Sequence, residues 1–245
     1  MHKHALILGA KSDIARAIAR QFAEHGYHLY LAGRKASQSL AADASDLAIR
    51  YKISAKTVDF DALDYDTHAQ VWAGLDPMPE VVICVVGYMP EQSDAEQDAA
   101  LMRTVLETNF VGCAHFLHFV AHDFEARKAG AIIGVSSVAG DRGRAKNYYY
   151  GSAKAGFSAY LSGMRNRLHK AGVQVLTVKP GFVRTRMTEN MDLPGLLTAD
   201  PEEVANDIYT SWSKEKNVIY SKWFWRWIML IITCVPESIF KKLNF

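Results

Sequence analysis

The residues that decide the fold are Ala5-Leu6-Ile7-Leu8, followed directly by Gly9-Ala10-Lys11-Ser12-Asp13-Ile14-Ala15. The first four form an apolar run of strand length, and a helical pattern begins at Asp13. A turn of small residues at a helix N-terminus exposes backbone N–H groups and the positive end of the helix dipole, which suits a pyrophosphate. Because Asp13 and Ala15 stand where nucleotide-binding turns often have glycine, a plain turn with Asp13 as the N-cap is the alternative.

Apolar runs of strand length alternate with helical patterns along most of the remaining chain. The predicted strands are Ala5–Leu8, Tyr27–Ala32, Ala55–Asp59, Val81–Val86, Ala131–Ser136, Val173–Val178 and Val218–Tyr220. The predicted helices are Asp13–His25, Leu40–Tyr51, Tyr65–Trp72, Ala99–Arg127, Tyr149–Lys170 and Pro201–Lys214. The strands are rich in Val, Ile and Leu without alternation, as in a parallel sheet covered on both faces. This order predicts an α/β fold with a doubly wound, parallel, seven-stranded sheet of the Rossmann-like type, helices on both faces and a C-terminal apolar helical appendage.

Length and charge divide the chain into a body and an appendage. The 245 residues are 49% hydrophobic and 22% charged, which suits one globular domain and excludes a disordered or fibrous chain. A net charge of +2 is too small to indicate nucleic-acid binding. The last 24 residues nevertheless carry four cations against one acid: Lys222, Arg226, Lys241 and Lys242 against Glu237. We therefore separate a body, residues 1–221, from an apolar and basic appendage, residues 222–245.

The residues at the end of the second predicted strand indicate which dinucleotide the first turn would bind. It reads Leu31-Ala32-Gly33-Arg34-Lys35, with two cations and no acidic residue to bind a ribose 2′-hydroxyl. Arg34, together with Ser12 and Lys35, would accommodate a 2′-phosphate. This favours NADP(H) over NAD(H) as the cofactor, and the alternative is that Arg34 and Lys35 are solvated loop charges.

The strongest chemical signal is Tyr150-Gly151-Ser152-Ala153-Lys154, preceded by Ser137 at the end of the fifth predicted strand. Residues four apart share a helix face, so Tyr150 and Lys154 point into the same space. The neighbouring ammonium favours the phenolate and makes the Tyr150 hydroxyl a usable proton donor near neutrality. Ser137 can reach the same carbonyl oxygen as a second hydrogen-bond donor.

These motifs resemble those of the short-chain dehydrogenase/reductase family, from Ala5 to about Tyr220. The resemblance implies a catalytic set of Asn109, Ser137, Tyr150 and Lys154, with Asn109 taken from Thr108-Asn109-Phe110-Val111-Gly112. It implies that NADPH delivers a hydride to a ketone carbon while Tyr150 protonates the oxygen. Lys154 would also hold the nicotinamide ribose, and Asn109 would support a water-linked proton path.

The same resemblance extends the cofactor contacts. It implies an adenine contact at Asp59 and Phe60, and a turn after the sixth strand whose following residues face the nicotinamide carboxamide. The expected cofactor-binding residues are Gly9, Lys11, Ser12, Asp13, Ile14, Arg34, Asp59, Phe60, Gly87, Tyr150, Lys154, Pro180, Gly181, Val183 and Thr185. The chain departs from the family in its first turn and in Cys84-Val85-Val86-Gly87, where Asn-Asn-Ala-Gly is usual. These departures affect the cofactor contacts and leave the chemistry intact.

The second half resembles more narrowly the decaprenylphosphoryl-2-keto-ribose reductase branch of that family, in residues 136–147, 150–156, 180–187 and 235–243. Members of this branch reduce a keto-sugar carried on a polyprenyl phosphate. The resemblance implies that the loop of residues 141–146 lies beside the active site. Its three cations, Arg142, Arg144 and Lys146, would then meet the lipid phosphate, with a solvated loop as the equal alternative.

The appendage contains an apolar stretch, residues 223–235, with Trp223, Trp225 and Trp227 at one end. Arg226 interrupts the stretch and Pro236 ends it, so it falls short of the ~20 apolar residues that span a bilayer. Tryptophans flanked by cations suit the surface of a membrane. The alternatives are a helix packed on the substrate cleft or on another subunit.

The remaining patterns predict neither disulfides nor a metal site. The three cysteines are widely spaced, so each is expected to be a small buried apolar residue: Cys84, Cys113 and Cys234. The N-terminus carries no signal-peptide pattern, which predicts a cytoplasmic protein, peripheral at the inner face of the membrane if the appendage binds lipid. Three histidines share a helix face without an acidic partner: His115, His118 and His122. We expect a packing or subunit-contact helix there, and a homo-oligomer.

Three functions are open from the sequence. The first is an NADPH-dependent ketone reductase whose substrate is a lipid-linked keto-sugar. The second is a general carbonyl, acyl or steroid reductase that uses the appendage as a substrate lid. The third is a nucleotide-binding protein without catalysis, which the degenerate first turn permits and the complete catalytic set opposes.

Overall fold

A seven-stranded parallel sheet forms the centre of the computed structural model, which describes residues 3–189 and 192–243. The strands are β1 (His4–Leu8), β2 (His28–Gly33), β3 (Ala55–Asp59), β4 (Val81–Cys84), β5 (Ala131–Val135), β6 (Gln174–Pro180), β7 (Phe182–Val183), β8 (Thr198–Ala199) and β9 (Val218–Ser221). The main sheet has the order β3-β2-β1-β4-β5-β6-β9, and β7 and β8 form a separate parallel pair. The predicted doubly wound parallel sheet is confirmed. Strand order reverses between β1 and β4, where such sheets open a crevice for ligands.

Helices cover both faces of the sheet. They are α1 (Asp13–Glu24), α2 (Ala36–Ser39), α3 (Ala41–Tyr51), α4 (His68–Ala73), α5 (Gln92–Gln97), α6 (Ala99–Leu106), α7 (Gly112–Arg127), α8 (Tyr148–Leu168), α9 (Pro201–Ser213), α10 (Trp225–Cys234) and α11 (Glu237–Phe240). The helix predicted over Ala99–Arg127 is divided between α6 and α7 by a π-helical turn, Glu107–Val111. The helix predicted over Tyr65–Trp72 starts as a 3₁₀ turn before α4.

Two apolar cores lie on opposite faces of the sheet because successive side chains of a strand point to opposite sides. In β1, Ile7 belongs to the core that contains Phe22 of α1, and Leu8 belongs to the core that contains Phe116 of α7. All four of these side chains are fully buried. Burial of each such side chain contributes about 1.5–3 kcal/mol, so the pattern of β1 fixes both layers.

The appendage packs on the body through a third, smaller core. Trp225 and Met229 of α10 are buried against Val138, which follows the end of β5. The indole Nε1 of Trp225 donates a hydrogen bond to the Leu197 carbonyl at 3.2 Å. A Cβ at Gly181 would lie 1.9 Å from that Nε1, so the indole occupies the space that a side chain there would need. The loops that follow β5 and β6 are therefore both in contact with α10.

The burial of the cysteines is confirmed for two and wrong for one. Cys84 and Cys113 are buried, whereas Cys234 is exposed. Cys234 follows Trp225 by nine residues, about two and a half helical turns, so it lies on the opposite side of α10 from the buried indole. Within the described residues, no helix has the length and apolar character needed to cross a membrane.

Candidate active site

A cleft of about 710 Å³ opens at the carboxyl ends of the central strands. Most residues predicted for the site line this cleft: Gly9, Lys11, Ser12, Asp13, Ile14, Arg34, Phe60, Gly87, Ser137, Arg144, Tyr150, Lys154, Pro180, Gly181, Val183 and Thr185. Five residues singled out for the site in the sequence are outside its described lining: Lys35, Asp59, Asn109, Arg142 and Lys146. The structure thus brings the two distant sequence motifs, the first turn and the Tyr150–Lys154 pair, into one cavity.

The first turn is built around Gly9. Its φ of +79° lies in the left-handed region, and a Cβ there would lie 3.0 Å from the backbone of Val85. The backbone N–H groups of Gly9 and Ala10 both donate to the Ala32 carbonyl at 3.0 Å, which holds the turn against the end of β2. Ser12, rather than Asp13, is the N-cap of α1, and its Oγ accepts from the Ala15 N–H at 3.2 Å.

Asp13 has a different partner, which the sequence did not reveal. Its carboxylate accepts hydrogen bonds from the Arg186 backbone N–H at 2.9 Å and from the Arg186 Nε at 3.1 Å. The Arg186 guanidinium also donates to the Lys11 carbonyl at 2.6 Å. Burial raises the pKa of Asp13, but the hydrogen bonds and charge of Arg186 together lower it by more. The net pKa therefore lies below the usual value. Arg186 therefore ties the first turn to the segment that follows β7.

Arg34 and Asp59 lie at the ends of β2 and β3 and have different surroundings. Arg34 is exposed and lines the cleft, where a phosphate would find its guanidinium. Asp59 instead accepts from the backbone N–H groups of Ala36 and Ser37 at the start of α2. The Asp59 carboxylate therefore satisfies free donors of a short helix, and the buried Phe60, next in sequence, lines the cleft.

Lys154 is the buried cation of the site, with a relative exposure of 2%. Its ammonium donates to the Val86 and Val135 carbonyls, each at 3.1 Å, so it is fixed between the ends of β4 and β5. The Nζ lies 5.7 Å from the centroid of the Tyr150 ring, one helical turn earlier on α8. Two carbonyls leave one ammonium hydrogen for another acceptor.

Ser137 stands at the start of a 3₁₀ turn, Val138–Gly140, and its Oγ accepts from the Ala139 N–H at 3.1 Å. Since the oxygen acts there as an acceptor, its hydroxyl hydrogen can still be donated. The preceding Ser136 is buried and donates to the Lys154 carbonyl at 2.9 Å. That bond joins the end of β5 to α8, the helix that carries Tyr150.

Asn109 lies in the π-helical turn and is fully buried. Its Oδ1 accepts from the Tyr88 N–H at 3.0 Å, and its Nδ2 donates to the carbonyls of Tyr88 and Val105 at 2.6 and 2.8 Å. An ideal Cβ on Gly87 would lie 3.6 Å from Asn109 Oδ1 and 3.8 Å from Lys154 Nζ. Asn109 thus holds the loop after β4 next to the buried ammonium, although it does not itself line the cleft.

The three cations of the loop after β5 have three different surroundings. Arg142 donates to the Ile232 carbonyl at 2.8 Å and to the Val235 carbonyl at 2.6 Å, and its guanidinium lies 3.8 Å from the centroid of the Phe240 ring. Lys146 is exposed. Among the three, only Arg144 lines the cleft. These cations are close together in the sequence, but each has different surroundings in the fold.

The histidines of α7 pack against α4 and one another. His115 and the buried His68 share a hydrogen bond of 2.9 Å between their Nδ1 atoms, and His118 stacks edge-on to His122. In the described parts of the chain, no three His, Cys, Asp or Glu side chains are grouped in a way that could hold a metal ion.

Residues 3–194 match the family described as short chain dehydrogenase. The chain belongs to this family of oxidoreductases. It is 34% identical over 242 residues to an uncharacterized oxidoreductase of Mycobacterium tuberculosis, covering 97% of this chain and 96% of that protein. It is 30% identical to sulfoacetaldehyde reductase 2 of Chromohalobacter salexigens, over 75% of this chain and 73% of that one.

The fold is also that of solved short-chain dehydrogenases. The structure of one from Sphingobium yanoikuyae in complex with NADPH superimposes with a TM-score of 0.82, over 96% of this chain and 97% of that one. The two sequences are 21% identical, so this likeness concerns the fold alone. The short-chain dehydrogenase fold and family predicted from the sequence are confirmed.

Proposed function

We propose that the protein reduces a ketone to an alcohol with NADPH as the hydride donor. The cleft volume lies within the range of cofactor-binding clefts. The backbone of the first turn and the dipole of α1 suit the pyrophosphate, and the exposed guanidinium of Arg34 suits a 2′-phosphate. The carbonyl-bound ammonium of Lys154 retains a donor for a ribose hydroxyl.

The observation that carries this proposal is that Ser137, Tyr150 and Lys154 meet in the cleft that contains the first turn. When bound, NADPH supplies the hydride that reduces the carbonyl carbon and is oxidised to NADP⁺. The Tyr150 hydroxyl donates its proton to the carbonyl oxygen, which becomes the alcohol. The Ser137 hydroxyl donates a hydrogen bond to the same oxygen, and the Lys154 ammonium stabilises the phenolate that remains.

The substitution Tyr150→Phe tests this proposal. It removes the proton donor and keeps the ring, so turnover of NADPH with ketones should fall by about 10²–10⁴-fold while NADPH binding, measured by fluorescence titration, is retained. The control is Tyr148→Phe, a neighbouring and more exposed tyrosine on the same helix, which should leave turnover unchanged. Turnover retained by Tyr150→Phe would refute the assignment. NADPH binding without oxidation across a ketone panel would favour a non-catalytic nucleotide-binding protein.

For the substrate, we propose a keto-sugar linked to a lipid and presented at the inner face of a membrane. The appendage supports this, because α10 and its flanks expose large apolar side chains: Trp223 at 73%, Trp227 at 56% and Ile231 at 69%. Exposed cations flank them at Arg226, Lys241 and Lys242. An apolar helical face bordered by cations has the chemistry of a segment that lies on an anionic membrane surface.

Cosedimentation with vesicles tests the membrane part. The intact protein should bind vesicles that contain phosphatidylserine and should bind those of phosphatidylcholine alone more weakly, since the flanking charges are positive. The double substitution Trp227→Ser and Ile231→Ser should abolish binding. The control is Ile49→Ser on α3, which removes an apolar side chain of 78% exposure from another part of the surface. Equal amounts of the double variant and the control on the vesicles would contradict the proposal.

A general carbonyl reductase is the second candidate. It is favoured by the apolar side chains of the cleft, among them Val85, Val138 and Met187, which suit many ketones. A higher rate with a polyprenylphosphoryl keto-pentose than with cyclohexanone would favour the lipid-linked keto-sugar. The opposite order would favour the general carbonyl reductase. We also propose a homo-oligomer, and sedimentation velocity tests it.

A further inference from the structure

Two polar atoms of residues that line the cleft are buried without a partner among the described residues. They are Nε of Arg144 and Oδ1 of Asn147, and both residues line the cleft together with Tyr150. Asn147 is the N-cap residue of α8, yet its side chain makes no capping hydrogen bond. Since buried polar groups are nearly always hydrogen-bonded, two such atoms in one ligand cleft indicate partners that a ligand would supply.

The guanidinium of Arg144 also has no ion-pair partner among the described residues. In the described structure its side chain has one hydrogen-bond acceptor, the Met229 sulfur at 3.3 Å, and it takes part in no ion pair. The neighbouring acid, Asp141, is already bound, because its carboxylate accepts from Lys179 Nζ at 2.5 Å and from the Tyr220 hydroxyl at 2.8 Å. Burial lowers the pKa of Arg144, which reflects the cost of keeping this guanidinium charged away from water.

We infer that Arg144 and Asn147 form a substrate subsite for a phosphorylated sugar, which deepens and rests on the proposed function. The planar guanidinium of Arg144 presents paired donors that match a phosphate, and the anion compensates the charge of this partly buried group. Asn147 Oδ1 accepts a hydrogen bond from a sugar hydroxyl. Both lie in the cavity of Ser137 and Tyr150, so a keto group on the same sugar ring or chain meets the proton donor.

The neighbouring cations do not share this role. Arg142 is bound to the carbonyls at the end of α10 and to Glu237 at 2.8 Å, and Lys146 is exposed outside the described cleft lining. The substitution Lys146→Gln therefore provides a matched control, because it removes one positive charge from the same loop and leaves Arg144 and Asn147 unchanged.

Calorimetric titration of the full-length protein, saturated with NADP⁺, tests the subsite without turnover. The probes are D-ribose 5-phosphate and D-ribose. We expect the phosphate ester to bind about 10- to 100-fold more tightly than the sugar, as hydrogen bonds to a charged group imply. Arg144→Gln should remove this preference, Arg144→Lys should restore part of it, and Lys146→Gln should retain it. Asn147→Ala should weaken both sugars equally.

Three outcomes overturn the inference: no preference for the phosphate in the wild type, a preference that survives Arg144→Gln, or the same loss in Lys146→Gln. Thermal melting of each variant shows whether it is folded. Reduction of cyclohexanone by the wild type and by Lys146→Gln separates the two proposals, because normal reduction by both with no phosphate preference in the wild type rejects the subsite alone. Failure of every protein with every ketone rejects the proposed function.

The phosphate can come from a free sugar or from a lipid-linked one, and a second pair of probes distinguishes them. Farnesylphosphoryl ribose, presented in detergent, is compared with ribose 5-phosphate. Tighter binding of the lipid form, lost in Arg144→Gln, identifies the lipid-linked source. Equal binding of the two, again dependent on Arg144, identifies the phosphate group alone as the recognised feature.

Discussion

The two ends of the cleft differ in how completely their polar groups are bonded. At the cofactor end, the turn at Gly9, the Asp13 carboxylate and the Arg186 guanidinium bind one another directly. At the substrate end, Arg144 and Asn147 each keep a buried polar atom without a partner in the described part of the chain. These three groups at the proposed cofactor end are therefore held by the protein itself, whereas the proposed substrate end is suited to complete its hydrogen bonds with a ligand.

The two ends also differ in what supports them. The cofactor end rests on the main sheet and α1, which belong to the large cores. The substrate end rests on the small core of Val138, Trp225 and Met229, so the loops after β5 and β6 depend on a helix near the end of the chain. Sequence reasoning separated residues 222–245 from the catalytic body. In the structure, Trp225 of this segment packs behind the loops that follow β5 and β6, in line with the alternative of a helix packed on the cleft.

The largest predicted effect separates the two faces of α10. Trp225→Ala removes a buried indole and its hydrogen bond to Leu197, and should lower the free energy of unfolding by about 3–5 kcal/mol. Because Val138 loses its neighbour, the KM for a ketone should rise more than the Kd for NADPH. Chemical denaturation and the two titrations provide the measurements.

Trp227→Ala is the matched control for this prediction. Trp227 lies on the same helix and is exposed, so its removal should change the free energy of unfolding by less than about 0.5 kcal/mol. Equal losses for the two tryptophans would contradict the packing of α10 described above. A rise in the NADPH Kd as large as that in the ketone KM would show that Trp225 supports both ends of the cleft equally.

A smaller effect is expected at the far end of α10. Arg142→Met removes donors from the Ile232 and Val235 carbonyls, and should cost about 1–3 kcal/mol of local stability. Hydrogen exchange should accelerate in residues 229–240 and remain unchanged in α1. Arg226→Met, at an exposed position of the same helix, should leave exchange in both regions unaltered. Acceleration in α1 as well would show that the two ends are supported together.

Much of the fold and the site was predictable because local patterns determine it. The apolar run of β1 and the turn at Gly9 predict a buried parallel strand and the start of α1 within one residue of the observed bounds. The four-residue spacing of Tyr150 and Lys154 places both on one side of α8, and both line the cleft. In these cases the partner of each residue is close in sequence or is the backbone itself.

The partners of long charged side chains were not predictable in the same way. Arg142 and Arg144 are two residues apart, yet one binds carbonyls about 90 residues later while the other lines the cleft. The sequence likewise contained no sign that Arg186 binds Asp13, which lies 173 residues away along the chain. Cys234 was expected to be buried because its segment is apolar, but the outward face of α10 exposes it. Each outcome depends on which surfaces the tertiary fold brings together.

The smallest predicted effect concerns the bond that closes the cofactor end. Asp13→Asn should lower the free energy of unfolding at pH 7 by less than about 1 kcal/mol, because Arg186 is largely exposed and its ion pair is screened by solvent. The pKa of Asp13 is lowered in the folded protein, so this stabilisation is fully present above the unfolded pKa and is lost as pH falls through the folded value. Denaturation curves of wild type and variant should therefore differ by a constant amount between about pH 5 and 8 and converge below about pH 4. Arg184→Gln, which removes a neighbouring exposed ion pair with Asp200, is the control and should leave NADPH affinity unchanged, whereas Asp13→Asn should weaken it. A difference between wild type and Asp13→Asn that grows as pH falls would show that the Asp13 carboxylate is not stabilised by Arg186, and the contrast in bonding between the two ends would then be smaller.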